Sequence, residues 1–345
     1  MDNVIMICIL LFLLFDILYG AKLVDVNDKF FDLKNSQAMR GFWCIVVVLV
    51  HVPAAYHNRI QDMISSFGYI GVTFFFLTSA FGLTLSQLKK PGNIKAFWRK
   101  RLPKLLIVTW MISIVYALVR AVVYKSDIKI LSLFSISGWV RWLIACYFAF
   151  WLSCVLLKKG NAWKIATCLL IIAGSLVIYY LKHTGVITTT TWETECYGFV
   201  WGVVLALVRD SFLKFFSDNW YFKTGAFMVI SAILGVLYLK FKTIPFGGDY
   251  LLKILLGLAI TVFILSSNTR VSLGNKVNMF LGEISFELYL CHGKVYHLMN
   301  DICQWKYSSV FIICSLLVSV LVAYIIHLIA NIIVKTVKRI PILNV

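Results

Sequence analysis

Eleven apolar runs constrain this chain more than any other feature of its sequence. A bilayer core takes about twenty apolar residues per helical crossing, and lipid offers no hydrogen bonds to an open backbone, so only helices or a closed barrel can span it. The runs are continuous rather than alternating, which predicts helices. We therefore expect an all-α fold, a polytopic transmembrane helical bundle of about eleven spans. The predicted spans are residues 4–21, 41–56, 67–86, 105–124, 138–157, 164–181, 194–208, 221–239, 249–267, 279–297 and 309–334.

Composition supports a lipid environment and argues against a nucleic-acid partner. Of the 345 residues, 61% are hydrophobic and 14% are charged, whereas a soluble domain is nearer half apolar with about a quarter charged. The net charge of +18 is also a property of nucleic-acid-binding proteins. Here, however, the basic residues lie in short loops between the apolar runs, as the positive-inside rule predicts. We therefore expect membrane lipid, and not nucleic acid, around this chain.

The basic residues also predict an orientation. If the N-terminus is outside, the segments that face the cytoplasm hold 22 lysines and arginines, and the segments on the opposite side hold 7. Cytoplasmic loops carry such an excess in membrane proteins. The sequence therefore predicts a multi-pass cell-membrane protein with its N-terminus outside and its C-terminus in the cytoplasm.

Arg40 directly precedes the second apolar run, residues 41–56, and His51 lies within that run. They are eleven residues apart, which on a helix places them near one face and about 16 Å apart along the axis. Arg40 is expected at the cytoplasmic mouth and His51 at or just beyond the bilayer midplane, where an ionisable group indicates function. The structural alternatives are a buried histidine bonded to a neighbouring helix and an arginine that snorkels to the interface.

Five segments, in order along the chain, resemble motifs of the acyltransferase-3 family of integral membrane sugar O-acyltransferases. In that family, an arginine and a histidine share the first core helix, as they do here. The segments are MRGFWCIVVVLVHVP (39–53), GYIGVTFFFLTSAF (68–81), FWRKRLP (97–103), GWVRWL (138–143) and LGEISFELYLCH (281–292).

The resemblance implies a fold division and an activity. Residues 1–35 would form an extra N-terminal transmembrane helix and linker, and residues 36–345 the membrane acyltransferase domain with its ten-helix core. Such an enzyme takes an acyl group from cytoplasmic acyl-CoA, for which we expect acetyl-CoA. It delivers the group to a hydroxyl of a surface glycan or a lipid-linked sugar on the far side. We expect no metal cofactor.

The resemblance also suggests which residues bind the donor and perform catalysis. CoA phosphates require cations, and guanidinium groups bind phosphate in a bidentate manner. His51 is the candidate general base, because imidazole titrates near neutral pH, and Arg40 is its catalytic partner. Charge bias alone is the alternative explanation for the basic loop. The candidate donor-binding residues are Arg40, Arg99, Lys100, Arg101 and Lys104.

Candidate acceptor contacts lie toward the outer side, where aromatic faces can stack on sugars and carboxylates can accept bonds from hydroxyls. For the tryptophans the alternative is an interfacial aromatic belt, and for the glutamates a solvated loop. Glu287 and Lys294, seven residues apart on one helix, are expected to form a structural pair. The candidate acceptor-binding residues are Trp139, Arg141, Glu193 and His292, with Trp142 and Glu195 beside them.

Two other functions remain open at this stage. A polytopic transporter or flippase would use His51 and Arg141 to line a polar pathway, and a silent membrane scaffold would use neither residue for chemistry. The absence of a detectable inverted repeat and the order of the motifs favour the acyltransferase. The sequence leaves the oligomeric state open, with a homo-oligomer among the alternatives.

Overall fold

The computed structural model describes residues 2–56, 59–157, 160–303 and 305–339. Helices occupy all eleven predicted spans, so the all-α polytopic bundle is confirmed. A two-stranded antiparallel pairing joins β1 (Lys22–Leu23) to β2 (Val271–Ser272). The helices are α1 (Asp2–Leu18), α2 (Leu33–Val50), α3 (Arg59–Ser65), α4 (Tyr69–Lys89), α5 (Phe97–Tyr124), α6 (Ile130–Leu133), α7 (Gly138–Leu156), α8 (Ala162–His183), α9 (Tyr197–Ser217), α10 (Trp220–Phe241), α11 (Lys253–Asn268), α12 (Lys276–Glu283), α13 (Ser285–Ile302) and α14 (Ser308–Arg339).

The helices differ in how apolar they are. Within the described part of the chain, seven helical stretches are long and apolar enough to cross a membrane; α2, α9 and α13 are not among them. These three helices bury many of their side chains inside the bundle. Because their neighbours shield them from lipid, α2 and α13 can carry polar side chains. The seven stretches are Ile60–Lys89, Ile94–Tyr124, Gly138–Leu156, Ala162–His183, Trp220–Phe241, Gly247–Asn268 and Ser308–Val337.

Helix α2 differs from its predicted bounds of 41–56. It begins earlier, at Leu33, where the Asp32 carboxylate accepts a hydrogen bond of 2.9 Å from the Asn35 backbone N–H. It ends at Val50, three residues before Pro53. Proline lacks an N–H and its ring disfavours a helical conformation in the preceding residue. His51 is therefore the C-cap of α2 rather than a residue within a continuing helix.

The predicted span 279–297 contains two helices, α12 and α13, which meet at Ile284. Helix α12 packs closely against α2 because glycines face each other there. A Cβ atom on Gly41 would lie 2.6 Å from the Asn278 carbonyl oxygen, and one on Gly282 would overlap the Gln37 carbonyl. Small residues allow this approach of two membrane helices. The contact fixes α13, which follows directly, beside α2.

Helix α1 is attached to the rest of the bundle by polar contacts near its C-terminal end. The Asn278 side chain donates a hydrogen bond of 2.9 Å to the Asp16 carbonyl, and the Asn275 side chain lies 3.4 Å from the Asp16 carboxylate. Asp16 therefore has partners within the protein although it lies in an apolar helix. Of the basic residues counted for orientation, Lys158 and Lys159 lie outside the described residues.

Candidate active site

A cavity of about 480 Å³ lies between α2, α4, α5, α7 and α13. Trp139 and Tyr147, both on α7, face it and are eight residues apart, which corresponds to about 12 Å of helix. The cavity is thus long enough to hold an extended chain. Its lining residues are Arg40, Phe75, Thr78, Ser79, Gly82, Leu83, Lys100, Arg101, Lys104, Leu105, Trp139, Leu143, Tyr147, Ser285, Phe286 and Tyr289.

Four cations line this cavity, and no carboxylate does among the residues that the structure describes. Arg40, Lys100, Arg101 and Lys104 are four of the five predicted donor-binding residues; Arg99 does not line it. No described carboxylate lies within ion-pairing distance of the Arg40 or Arg101 guanidinium. Lys104 lies 3.3 Å from the Glu287 carboxylate. Arg40 and Arg101 face a partly enclosed space without such a partner among the described residues, which makes this part of the cavity a site for an anion. We call this part of the cavity the Arg40 end.

The middle of the cavity wall carries a pair of hydroxyl groups. Ser79 on α4 and Tyr147 on α7 are joined by a hydrogen bond of 2.6 Å between Oγ and the phenolic oxygen. Sequence reasoning placed Ser79 within a motif but assigned it no role, and it did not identify Tyr147. Nothing in the local sequence around Tyr147 indicates that its hydroxyl meets a helix 68 positions earlier in the chain.

Aromatic rings close the opposite end of the cavity. The centroids of the Trp139 and Tyr289 rings lie 4.8 Å apart, and Phe75 and Phe286 each pack within 6.3 Å of Trp139. The Trp139 indole N–H is buried and has no hydrogen-bond partner among the described residues. Trp139, a predicted acceptor contact, therefore lies in the same cavity as Arg40. An apolar aromatic wall of this kind suits the uncharged part of a ligand.

Two histidines, His51 and His292, lie just beyond the aromatic end of the cavity. His292 is buried on α13, one turn after Tyr289, with a ring-centroid distance of 5.9 Å to that tyrosine. The His292 ring meets the exposed His51 ring edge to face at 4.8 Å. The chain thus brings together two predicted site residues, His51 and His292, that are 241 positions apart.

Hydrogen bonds fix the tautomer of both histidine rings. His51 Nδ1 lies 2.8 Å from the Val47 carbonyl oxygen, and His292 Nδ1 lies 3.1 Å from the Leu288 carbonyl oxygen. A carbonyl can accept but not donate, so Nδ1 carries the proton in each neutral ring. Nε2 is then the unprotonated nitrogen, which is the one able to take a proton from a substrate.

Two predicted acceptor residues lie elsewhere. Arg141 is exposed and lines a separate, mainly apolar cavity of about 310 Å³ between α7 and α8, together with Trp142. Glu193 is buried in the segment between α8 and α9, and its carboxylate lies 2.8 Å from Lys182 Nζ. The structure therefore does not bring Arg141 or Glu193 together with Arg40. A polar pathway that joins His51 to Arg141 receives no support from this arrangement.

The two glutamates of that segment are ion-paired rather than solvated. Glu195 lies 2.8 Å from Lys253 Nζ, as Glu193 does from Lys182. Burial raises the pKa of the Glu193 carboxyl, but the hydrogen bond and the positive charge of Lys182 outweigh it, so this pKa falls below its ordinary value. Glu193 therefore stays ionised at neutral pH and contributes to the fold together with its lysine.

The expected pair of Glu287 and Lys294 is wrong. Seven residues along a helix amount to about 10 Å, too far for a direct contact although both side chains share a face. Glu287 lies instead 3.3 Å from Lys104 Nζ and 3.2 Å from His327 Nδ1. Lys294 Nζ lies over the Tyr116 ring, 4.5 Å from its centroid.

Comparison with known proteins gives one finding. A family model described as an acyltransferase domain matches residues 28–328, most of the chain and nearly all of the bundle. None of the curated proteins and none of the solved structures in the comparison is a match. The match includes both ends of the cavity and both histidines.

Proposed function

The chain belongs to the acyltransferase-3 family of membrane acyltransferases, and we propose that it O-acetylates a surface glycan or a lipid-linked sugar with acetyl-CoA. The observation that carries this proposal is the cavity itself. Its Arg40 end presents four cations and no described carboxylate, and its aromatic end leads to two histidines whose Nε2 atoms are free of the proton. Polysaccharide modification is thus the proposed role of the chemistry.

The donor fits the cavity by charge and by length. CoA carries phosphates at one end, and Arg40, Lys100, Arg101 and Lys104 are suited to bind them through charge-assisted hydrogen bonds. Its uncharged pantetheine arm is extended and carries the thioester at its tip. The spacing of about 16 Å from Arg40 to His51 matches an arm that runs past the hydroxyl pair to the aromatic end. The thioester then lies against Trp139 and Tyr289, next to the histidines.

The proposed reaction is direct transfer with His51 as general base. His51 Nε2 takes the proton of the acceptor hydroxyl, and the resulting oxygen nucleophile attacks the thioester carbonyl carbon. A C–O bond forms, the C–S bond breaks, and the imidazolium returns the proton to the departing CoA thiolate. The Val47 carbonyl holds the ring so that Nε2 faces away from α2's backbone. His292 supports the ring and is a candidate contact for the acceptor.

The proposed orientation follows from the charge bias. The Arg40 end would open to the cytoplasm, where acyl-CoA is made, and His51 would face the extracytoplasmic side. This fits the exposure of His51 at the end of α2. The acceptor hydroxyl would then approach from the side opposite to the donor, so that the acyl group, rather than CoA, crosses the membrane.

The test is CoA release from acetyl-CoA by purified protein supplied with a lipid-linked sugar acceptor. We expect His51→Ala to lower kcat by about 10²- to 10⁴-fold, the usual contribution of a general base, with little change in the KM for acetyl-CoA. His183→Ala is the matched control, because His183 is an exposed histidine outside the cavity lining. Equal rates for His51→Ala and the natural protein would refute the proposed role of His51.

A further inference from the structure

Glu287 is a fully buried carboxylate that the proposed reaction does not use. Its side chain on α13 is 0% exposed. One oxygen, Oε1, lies 3.3 Å from Lys104 Nζ on α5 and 3.2 Å from His327 Nδ1 on α14. A buried carboxylate is costly unless it is paired, and here it joins three helices through basic groups.

The basic groups around Glu287 belong to the Arg40 end of the cavity. Lys104 and Arg40 line both the main cavity and a second, more polar cavity of about 480 Å³ that also contacts His327. Glu287 attracts the Arg40 guanidinium through space, without an ion pair at contact distance. Glu287 thus lies behind two proposed phosphate ligands and does not itself line either cavity.

This arrangement addresses a difficulty of any anion site inside a bundle. Arg40 and Lys104 must stay near an enclosed space while it is empty, although a lysine chain has many conformations and the Lys104 side chain is 38% exposed. An uncompensated cation would move toward water. Glu287 supplies a fixed negative charge on the protein side of both groups, which holds them in place before the ligand arrives.

Glu287 would repel a phosphate if its own charge were not balanced. His327 Nδ1 approaches the same Glu287 oxygen, Oε1, as Lys104 does, and His327 Nε2 is in turn 3.4 Å from Glu283 and 2.8 Å from Asn331 Nδ2. Together with Lys104, His327 spreads the negative charge of Glu287 over two basic partners. The field at the cavity is then set by the cations that line it.

We infer that Glu287 is a positioning residue for the donor's phosphates. Its carboxylate orders Lys104 by direct contact and Arg40 through space, so that a phosphate meets preorganised cations. It touches neither the substrate nor the reacting atoms. This inference rests on the proposed function, since it takes the phosphate-bearing donor to bind at the Arg40 end.

The first experiment measures the binding of CoA and of pantetheine, which lacks the phosphates, to Glu287→Gln by calorimetry. The amide keeps the shape of the side chain and removes its charge. We expect the Kd for CoA to rise about tenfold, as for the loss of one charge-assisted hydrogen bond, and the Kd for pantetheine to stay within about twofold. Asp301→Asn is the matched control, because Asp301 is an exposed carboxylate on the same helix and lines neither cavity; it should bind CoA as the natural protein does.

Other outcomes would overturn the inference. An unchanged or lower Kd for CoA in Glu287→Gln would mean that the carboxylate does not organise the cations. An equal loss of CoA and pantetheine binding would indicate a general packing role. If the natural protein does not bind CoA at all, the proposed function fails together with this inference. If the natural protein binds CoA and Glu287→Gln binds it equally well, only this inference fails.

A double-mutant cycle tests whether Glu287 acts through Lys104. If it does, Glu287→Gln should weaken CoA binding by clearly less in a Lys104→Met background than the roughly tenfold expected in the natural protein, because only the through-space effect on Arg40 remains. Glu287→Asp, which keeps the charge on a shorter chain, should recover part of the affinity. If the double variant raises the Kd for CoA by the full product of the two single fold-changes, Glu287 and Lys104 act independently. That result would contradict the inference.

Discussion

The segment between α8 and α9 holds buried charges, whereas the Arg40 end of the cavity holds the partly buried Arg40 and the exposed Arg101, and the two regions differ in how these charges are paired. In the segment, Glu193 and Glu195 each lie 2.8 Å from a lysine. In the cavity, Arg40 and Arg101 have no carboxylate at ion-pairing distance among the described residues. A protein that pairs its charges in one place and leaves cations together in another is prepared for an anion from outside.

The difference separates charges that stabilise the fold from charges that await a ligand. Removing one partner of a buried pair leaves the other uncompensated and destabilises the protein. Removing an unpaired cation relieves repulsion in the empty protein and costs only ligand affinity. The same kind of substitution should therefore have opposite consequences in the two regions.

The largest effect is expected for Arg40→Ala. The substitution removes a guanidinium that would bind phosphate in a bidentate manner, and with it at least two charge-assisted hydrogen bonds. The Kd for CoA should therefore rise about 100-fold. Arg40→Lys should recover only part of this affinity, because an ammonium group cannot bind in the same fork-like geometry. Arg120→Ala is the control, because Arg120 lies near the C-terminal end of α5 and does not line the cavity. Unaltered CoA binding by Arg40→Ala would remove the basis of the comparison.

A second prediction concerns stability. Lys253→Met should lower the free energy of unfolding by about 2–4 kcal/mol, since it leaves the buried Glu195 carboxylate without its partner. CoA affinity should not change. Arg101→Met should do the reverse, weakening CoA binding without lowering the melting temperature in detergent. Thermal unfolding and calorimetry on both variants would show whether the two regions differ as proposed.

A smaller effect should appear in the pH dependence of stability. The pKa of Glu193 is lowered from its ordinary value of 4.5 in the folded protein, so its contribution is fully present above pH 4.5 and is lost as the pH falls through the lowered value. Lys182 is 44% exposed, and screening reduces the size of the effect. The melting temperatures of the natural protein and Glu193→Gln should converge as the pH is lowered from 7 to 3. A constant difference would exclude this linkage.

The smallest effect is expected for Arg141→Gln. Arg141 was a predicted acceptor contact, but it is exposed and lines a different cavity from Arg40. The Kd for CoA and the KM for the acceptor should both stay within about twofold of the natural values. A large rise in the acceptor KM would place the acceptor near α8 and restore the original assignment.

The sequence predicted the fold and grouped four cations that line one cavity. Continuous apolar runs predicted the helices, because lipid leaves the backbone no other solution. The resemblance grouped Arg40 on α2 with the basic residues of α5, and Arg40, Lys100, Arg101 and Lys104 do line one cavity. The end of α2 was misjudged because apolarity continues to Tyr56, whereas Pro53 ends the helix at Val50, six residues before Tyr56.

Side-chain contacts between helices that are far apart along the chain could not be predicted from the sequence. The Ser79–Tyr147 hydroxyl pair and the contact of Glu287 with Lys104 depend on how α4, α5, α7 and α13 pack. No local pattern encodes these pairings. Spacing along one helix even suggested the wrong partner for Glu287, because sharing a face is not the same as being in contact.

The most direct test of the central claim is an experimental structure of the protein with CoA bound. The account predicts the phosphates against Arg40, Lys100, Arg101 and Lys104, and the pantetheine arm along Tyr147. The sulfur should lie at Trp139 and Tyr289, beside the His51–His292 pair. CoA bound elsewhere on the protein, or with its sulfur at the Arg40 end, would contradict the account.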